Sequence, residues 1–192
     1  MSTTDITRSA DGPRIAVIGL GNPIMGDDGF GIEVLDRLRS GWHCDSSVTL
    51  VDGGTWGLSL LPIIECAGHV LLLDAIRAGR APGTLVTFED DDVPRCFATK
   101  LSPHQIDVRE VLALAQLRGA LPRAGALVAM GVEPEFVDLR HGLSPVVQAQ
   151  LASVTRRAVK RMRQWGASVS RAPSEAWQAR EAWKPWEALC TR

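Results

Sequence analysis

Short apolar runs alternate along this chain with segments of helical spacing, and that alternation restricts the possible folds more than any other feature. Arg14-Ile15-Ala16-Val17-Ile18-Gly19-Leu20 is apolar, β-branched and closed by glycine, the marks of a buried strand. Val48 to Asp52, His69 to Asp74, Thr84 to Phe88 and Ala126 to Met130 also read as strands. Between these runs lie amphipathic stretches. One opens at Asp27-Asp28 and carries Phe30, Val34, Leu35 and Leu38; others run from about Leu58 to Glu65 and from Gln105 to Leu117. The last begins at Ser144-Pro145, serine at the N-cap and proline at the first helical position. Strands alternating with helices predict an α/β fold, a largely parallel sheet covered on both faces. Right-handed crossovers then align the strand C-termini along one edge, and sites in such sheets lie beyond that edge.

The 192 residues suit one ordinary domain. The expected organisation is a flexible N-terminus over 1–13, a domain over 14–166 and a C-terminal extension over 167–192. That extension holds Trp177, Trp183 and Trp186 without a helical or strand pattern. A formal charge of −1 gives no electrostatic basis for nucleic acid or for an anionic membrane. Residues 1–12 lack the apolar core of a signal peptide, and the later apolar runs fall far short of the ~20 residues a spanning helix needs. A cytoplasmic monomer is expected. Cys44, Cys66, Cys96 and Cys190 are scattered, with no C-x-x-C pair, and read as reduced, partly buried thiols.

Asp52 and Asp74 end strands, and Asp28 follows the first strand closely, so three elements bring acids to one rim. His104, in Lys100-Leu101-Ser102-Pro103-His104-Gln105, sits at a predicted helix start in a polar loop. Each of these residues alone is an ordinary cap or turn former. Together Asp28, Asp74 and His104 make an oxygen/oxygen/nitrogen ligand set with room for outside ligands, suited to a borderline divalent ion such as nickel or zinc. There is no H-E-x-x-H helix and no G-x-S-x-G elbow. A dinucleotide site at Gly19-Leu20-Gly21 is disfavoured, because Ile24 replaces the third glycine and Asp27-Asp28 would repel phosphate.

The order of motifs now becomes informative. Gly19-Leu20-Gly21-Asn22-Pro23-Ile24-Met25-Gly26-Asp27-Asp28-Gly29-Phe30-Gly31 is followed by Val51-Asp52-Gly53-Gly54-Thr55 and Leu72-Leu73-Asp74-Ala75-Ile76. Pro82-Gly83-Thr84, Ser102-Pro103-His104-Gln105 and Gly131-Val132-Glu133-Pro134 complete the set. In this order and spacing the sequence resembles the hydrogenase maturation endopeptidases, in particular the branch serving membrane-bound or uptake hydrogenases. The resemblance implies an α/β/α sandwich around a twisted, mostly parallel sheet of five strands, with metal contacts from Asp28, Asp74 and His104. Asp28 stands where some relatives carry glutamate. Asp52, with Gly53 and Thr55, would shape the substrate cleft.

The implied task is removal of a C-terminal peptide from the large-subunit precursor of a nickel–iron hydrogenase, recognised through nickel that the substrate itself carries. No nucleotide is expected. A nickel-sensing chaperone that binds the precursor without cutting it is the alternative reading.

Overall fold

The computed structural model describes residues 14–97 and 108–172. Its main sheet is built from β1 (Ile15–Leu20), β3 (Val48–Gly54), β4 (His69–Ala75), β5 (Leu85–Glu89) and β6 (Leu127–Val132) in the order β3-β1-β4-β6-β5. The pairs β1/β3, β1/β4 and β4/β6 are parallel, and β5 joins β6 antiparallel. The mostly parallel five-stranded sheet is therefore present. Every residue of β1 and of β6 is buried, as continuous apolar strands between two helical layers require.

Alternation along the strands decides which helix each side chain meets. Ile15, Val17, Leu71, Leu73, Val128 and Met130 face one side. They pack against Phe30, Val34, Leu35 and Leu38 of α1 (Phe30–Gly41) and against Val154, Ala158 and Met162 of a C-terminal helix. Ala16, Ile18, Val70, Leu72, Leu127 and Ala129 face the other, against Ile63 and Ile64 of α2 (Leu61–Cys66), Val93 of α3 (Asp92–Cys96) and Val111, Leu112 and Ala115 of α4 (Val108–Leu117). The result is the expected three-layer α/β/α sandwich.

Several local expectations change. Asp27 and Asp28 do not cap α1 through their side chains; they lie in a 3-10 turn, Gly26–Gly29, that leads into it. The helix expected from Ser144 onward is two helices, α5 (Pro145–Gln148) and α6 (Leu151–Gln164). Ser144 is the N-cap as read, its Oγ accepting from the Val147 N–H at 3.4 Å.

The boundary drawn at residue 166 falls inside packed structure. Ala167 and Val169 are buried, and β7 (Val169–Arg171) pairs antiparallel with β2 (Trp42–Cys44). Residues beyond 172, with their tryptophans, lie outside the described residues, as does the N-terminal segment 1–13. Cys44 and Cys96 are thiols, each partly exposed.

Candidate active site

The strand order contains a reversal. From β1 the chain passes through α1, on one face, to β3; from β3 it returns through α2, on the opposite face, to β4 on the other side of β1. Connections that diverge to opposite faces leave a crevice at the strand C-termini, here between β1 and β4. Asp28 follows β1 and Asp74 is the penultimate residue of β4, so both acids belong to this crevice.

Close backbone approach holds them there. The 3-10 turn that carries Asp28 packs against β4. Behind it, a Cβ on Gly31 would lie 2.1 Å from the Leu73 carbonyl oxygen and 2.5 Å from that of Leu20. Only glycine lets α1 enter so near the ends of both strands. Gly131 of β6, the register partner of Asp74, is equally constrained, a Cβ there lying 2.0 Å from the Asp74 carbonyl oxygen.

The loop after β1 folds back onto Asp28. The Asn22 N–H donates to Asp28 Oδ2 at 2.8 Å, and Gly21 adopts a φ of +107° with its Cα against the Asp28 carbonyl. Asp28 is half-buried, whereas Asp74 is 1% exposed. A half-exposed carboxylate beside a sequestered one gives the crevice an acidic floor and an accessible acidic rim.

Asp52, Gly53 and Thr55 sit on the far side of β1. Asp52 pairs in register with Gly19, just before a β-bulge that places Leu20 opposite Gly54. Gly53 is pressed against Ile18 and the Gly19 carbonyl, and Thr55 is exposed at the strand end. They border the crevice on its β3 side. His104 lies outside the described residues. Among the described residues no group of three His, Cys, Asp or Glu side chains is poised to hold a metal ion. His69 starts β4 at the opposite edge, as read from the sequence, and its ring meets Trp165 at 4.8 Å.

Two buried acids at this edge are not among the site residues the sequence singles out. Asp27 is fully buried. Its Oδ2 accepts from the Glu135 N–H at 2.8 Å, the Phe136 N–H at 3.2 Å and the Ser144 hydroxyl at 3.0 Å. Its Oδ1 accepts from the Ser144 N–H at 2.6 Å. Glu133, 5% exposed, accepts through Oε2 from the Ala78 N–H at 2.7 Å and the Arg80 N–H at 3.0 Å. The available signal was the Asp27-Asp28 doublet and the Gly131-Val132-Glu133-Pro134 block. Neither reveals which distant loop an acid serves.

Comparison with known proteins decides the family. The profile described as hydrogenase maturation protease matches residues 32–161. The chain belongs to the hydrogenase maturation protease family. The matched stretch contains Asp52 and Asp74, and Asp28 lies just before it. Over 160 residues the chain is 40% identical to the hydrogenase expression/formation protein HupD of Rhodobacter capsulatus, covering 82% of this chain and 75% of the relative. It is 34% identical to the hydrogenase 2 maturation protease of Escherichia coli K12 over 164 residues, covering 85% and 98% of the two chains. Among solved structures it resembles the hydrogenase maturating endopeptidase HybD of Escherichia coli with a TM-score of 0.77 and 31% identity, over 82% of this chain and 97% of that one. Its similarity to relatives named HupD agrees with the uptake branch of the family. No described helix is long and apolar enough to cross a membrane.

Proposed function

We propose that this chain is the endopeptidase that removes a C-terminal peptide from the nickel-loaded large-subunit precursor of a nickel–iron hydrogenase, in the cytoplasm and as a monomer. The observation that carries this reading is the placement of Asp28 and Asp74 at the crevice between β1 and β4 in a member of this protease family. With His104 they form the ligand set through which the enzyme reads the nickel held by its substrate. An empty precursor lacks that bridge and binds poorly, so selection for loaded precursor is a difference of affinities.

A protein substrate also suits the surface around the crevice. Six large hydrophobic side chains are exposed among the described residues, and five of them, Ile24, Trp56, Leu58, Leu139 and Val146, belong to segments at the C-terminal edge of the sheet. Such a concentration of apolar surface is characteristic of a contact face for another macromolecule. Asp52, Gly53 and Thr55 line the flank along which the substrate chain would run.

For the cleavage itself, the substrate's nickel supplies polarisation of the scissile carbonyl. Asp28, being partly exposed, accepts a proton from the water as the water oxygen bonds the carbonyl carbon, and returns it to the amide nitrogen as the C–N bond breaks. The buried Asp74 holds the reacting groups in line. The nickel is substrate, and no nucleotide takes part.

The test is the intact mass of a hydrogenase large-subunit precursor, with and without nickel, after incubation with this protein. Loss of a C-terminal peptide from the loaded form alone is expected. Loss from both forms overturns metal-gated recognition, and a stable complex of unchanged mass makes the protein a chaperone.

A further inference from the structure

Asp27 and Glu133 join the segments that carry the two site acids. The Asp27 carboxylate, one residue before Asp28, binds the backbone of Glu135, Phe136 and Ser144. The same loop begins at Glu133, whose carboxylate binds the backbone N–H groups of Ala78 and Arg80, in the segment that leaves β4 after Asp74. Main-chain bonds reinforce both ends. The Gly26 N–H donates to the Arg140 carbonyl at 2.8 Å and the Arg140 N–H to the Ile24 carbonyl at 3.0 Å; the Glu133 N–H donates to Thr84 at 2.8 Å and the Gly83 N–H to Glu133 at 2.9 Å.

We propose that the loop from Glu133 to Ser144 is a brace that sets the separation of Asp28 and Asp74, with Asp27 and Glu133 as its positioning residues. This rests on the reading that Asp28 and Asp74 perform the cleavage. A buried carboxylate is tolerated when donors converge on it, and multiple charge-assisted bonds of this kind fix geometry closely. Neither Asp27 nor Glu133 needs to touch substrate to govern the rate. A displacement of about 1 Å at a reacting group costs up to ~100-fold.

The two acids differ in a way that can be tested. The bonds to Asp27 fall on both of its oxygens, so an asparagine must turn its NH2 toward an N–H or O–H donor. Among the described residues the bonds to Glu133 fall on Oε2, so a glutamine can present its single carbonyl oxygen to both donors. The experiment is steady-state processing of nickel-loaded precursor by Asp27→Asn, Glu133→Gln and Glu133→Ala, each checked for cooperative thermal unfolding, with Asp74→Asn as control.

The brace predicts that Asp27→Asn and Glu133→Ala lower kcat/KM at least ~10-fold with kcat itself reduced, because the displaced Asp28 and Asp74 both bind the substrate's nickel and act on the bond. Glu133→Gln should match the parent. Should Asp27→Asn not fold, the Glu133 pair decides alone. A parental kcat in folded Asp27→Asn, or equal losses in the two Glu133 variants, overturns the brace. Normal processing by Asp74→Asn instead overturns the catalytic reading on which it rests.

Discussion

At its C-terminal edge the sheet is tied to its loops by carboxylates and bare glycine contacts, whereas its N-terminal edge is closed by short strands and ring contacts. At the first edge, Asp27 and Glu133 collect six hydrogen bonds from distant segments. Gly31 and Gly131 bring backbone within contact of the strand ends beside the acids. At the second, β2 pairs with β7 and the guanidinium groups of Arg163 and Arg171 lie 5.8 and 5.1 Å from the Trp42 ring centroid. The Arg163 Nε also donates to the Val169 carbonyl at 3.0 Å. Bonds that converge on one carboxylate or one glycine fail together when it is altered. Contacts shared among rings and short strands fail one at a time. The C-terminal edge is therefore rigid, specified and intolerant, as suits a site whose acids must hold their places.

That contrast can be broken at graded positions. The largest stability effect is expected for Gly131→Ala, whose Cβ meets backbone and cannot be relieved by a rotamer change. A loss of about 3 kcal/mol or more in chemical denaturation is predicted. A loss below about 1 kcal/mol would show that the strands beside the acids can shift, against a rigid edge.

A smaller effect is expected at the opposite edge. Trp42→Leu keeps a smaller apolar side chain beside the core and removes both cation–π contacts. The expected cost is about 1 kcal/mol in the same measurement, with processing unchanged. A processing defect here would blur the division between the edges.

The smallest concerns Asp45, in the turn between β2 and β3. The Ser47 hydroxyl foremost, and then the Ser168 N–H at 2.6 Å, hold its carboxyl below the usual carboxylate range. Its pKa is depressed in the folded state, so its contribution is present above the unfolded pKa and is lost as pH falls through the folded one. Asp45→Asn should lower the Tm by about 2 °C at neutral pH, the group being largely exposed, with the gap closing in acid. A gap that persists at low pH would mean the charge is not what secures this turn.

How far these edges could be read from sequence follows from the same physics. Buried parallel strands such as Ile15–Leu20 and Leu127–Val132 declare themselves because both faces must be apolar. Three-residue strands such as Trp42–Cys44 and Val169–Arg171 carry too little periodicity, so the domain was drawn to end at residue 166. Asp28 and Asp74 were legible because chain order and crossover handedness place them on one rim. Asp27 was not, because its partners lie more than a hundred residues away and its environment arises only when the loops meet. The break between α5 and α6 was hidden for the opposite reason. Val147, Leu151 and Val154 keep helical spacing across it, so the apolar stripe runs on where the helix does not.

The most direct test sets the two edges side by side. Nickel-loaded precursor is incubated with the parent, with Asp74→Asn and with Trp42→Leu, and its intact mass is followed over time. The account predicts that the parent and Trp42→Leu release the C-terminal peptide at the same rate, while folded Asp74→Asn slows release by about 100-fold or more. Peptide release by Asp74→Asn at the parental rate would contradict it, and would remove the crevice between β1 and β4 from the chemistry.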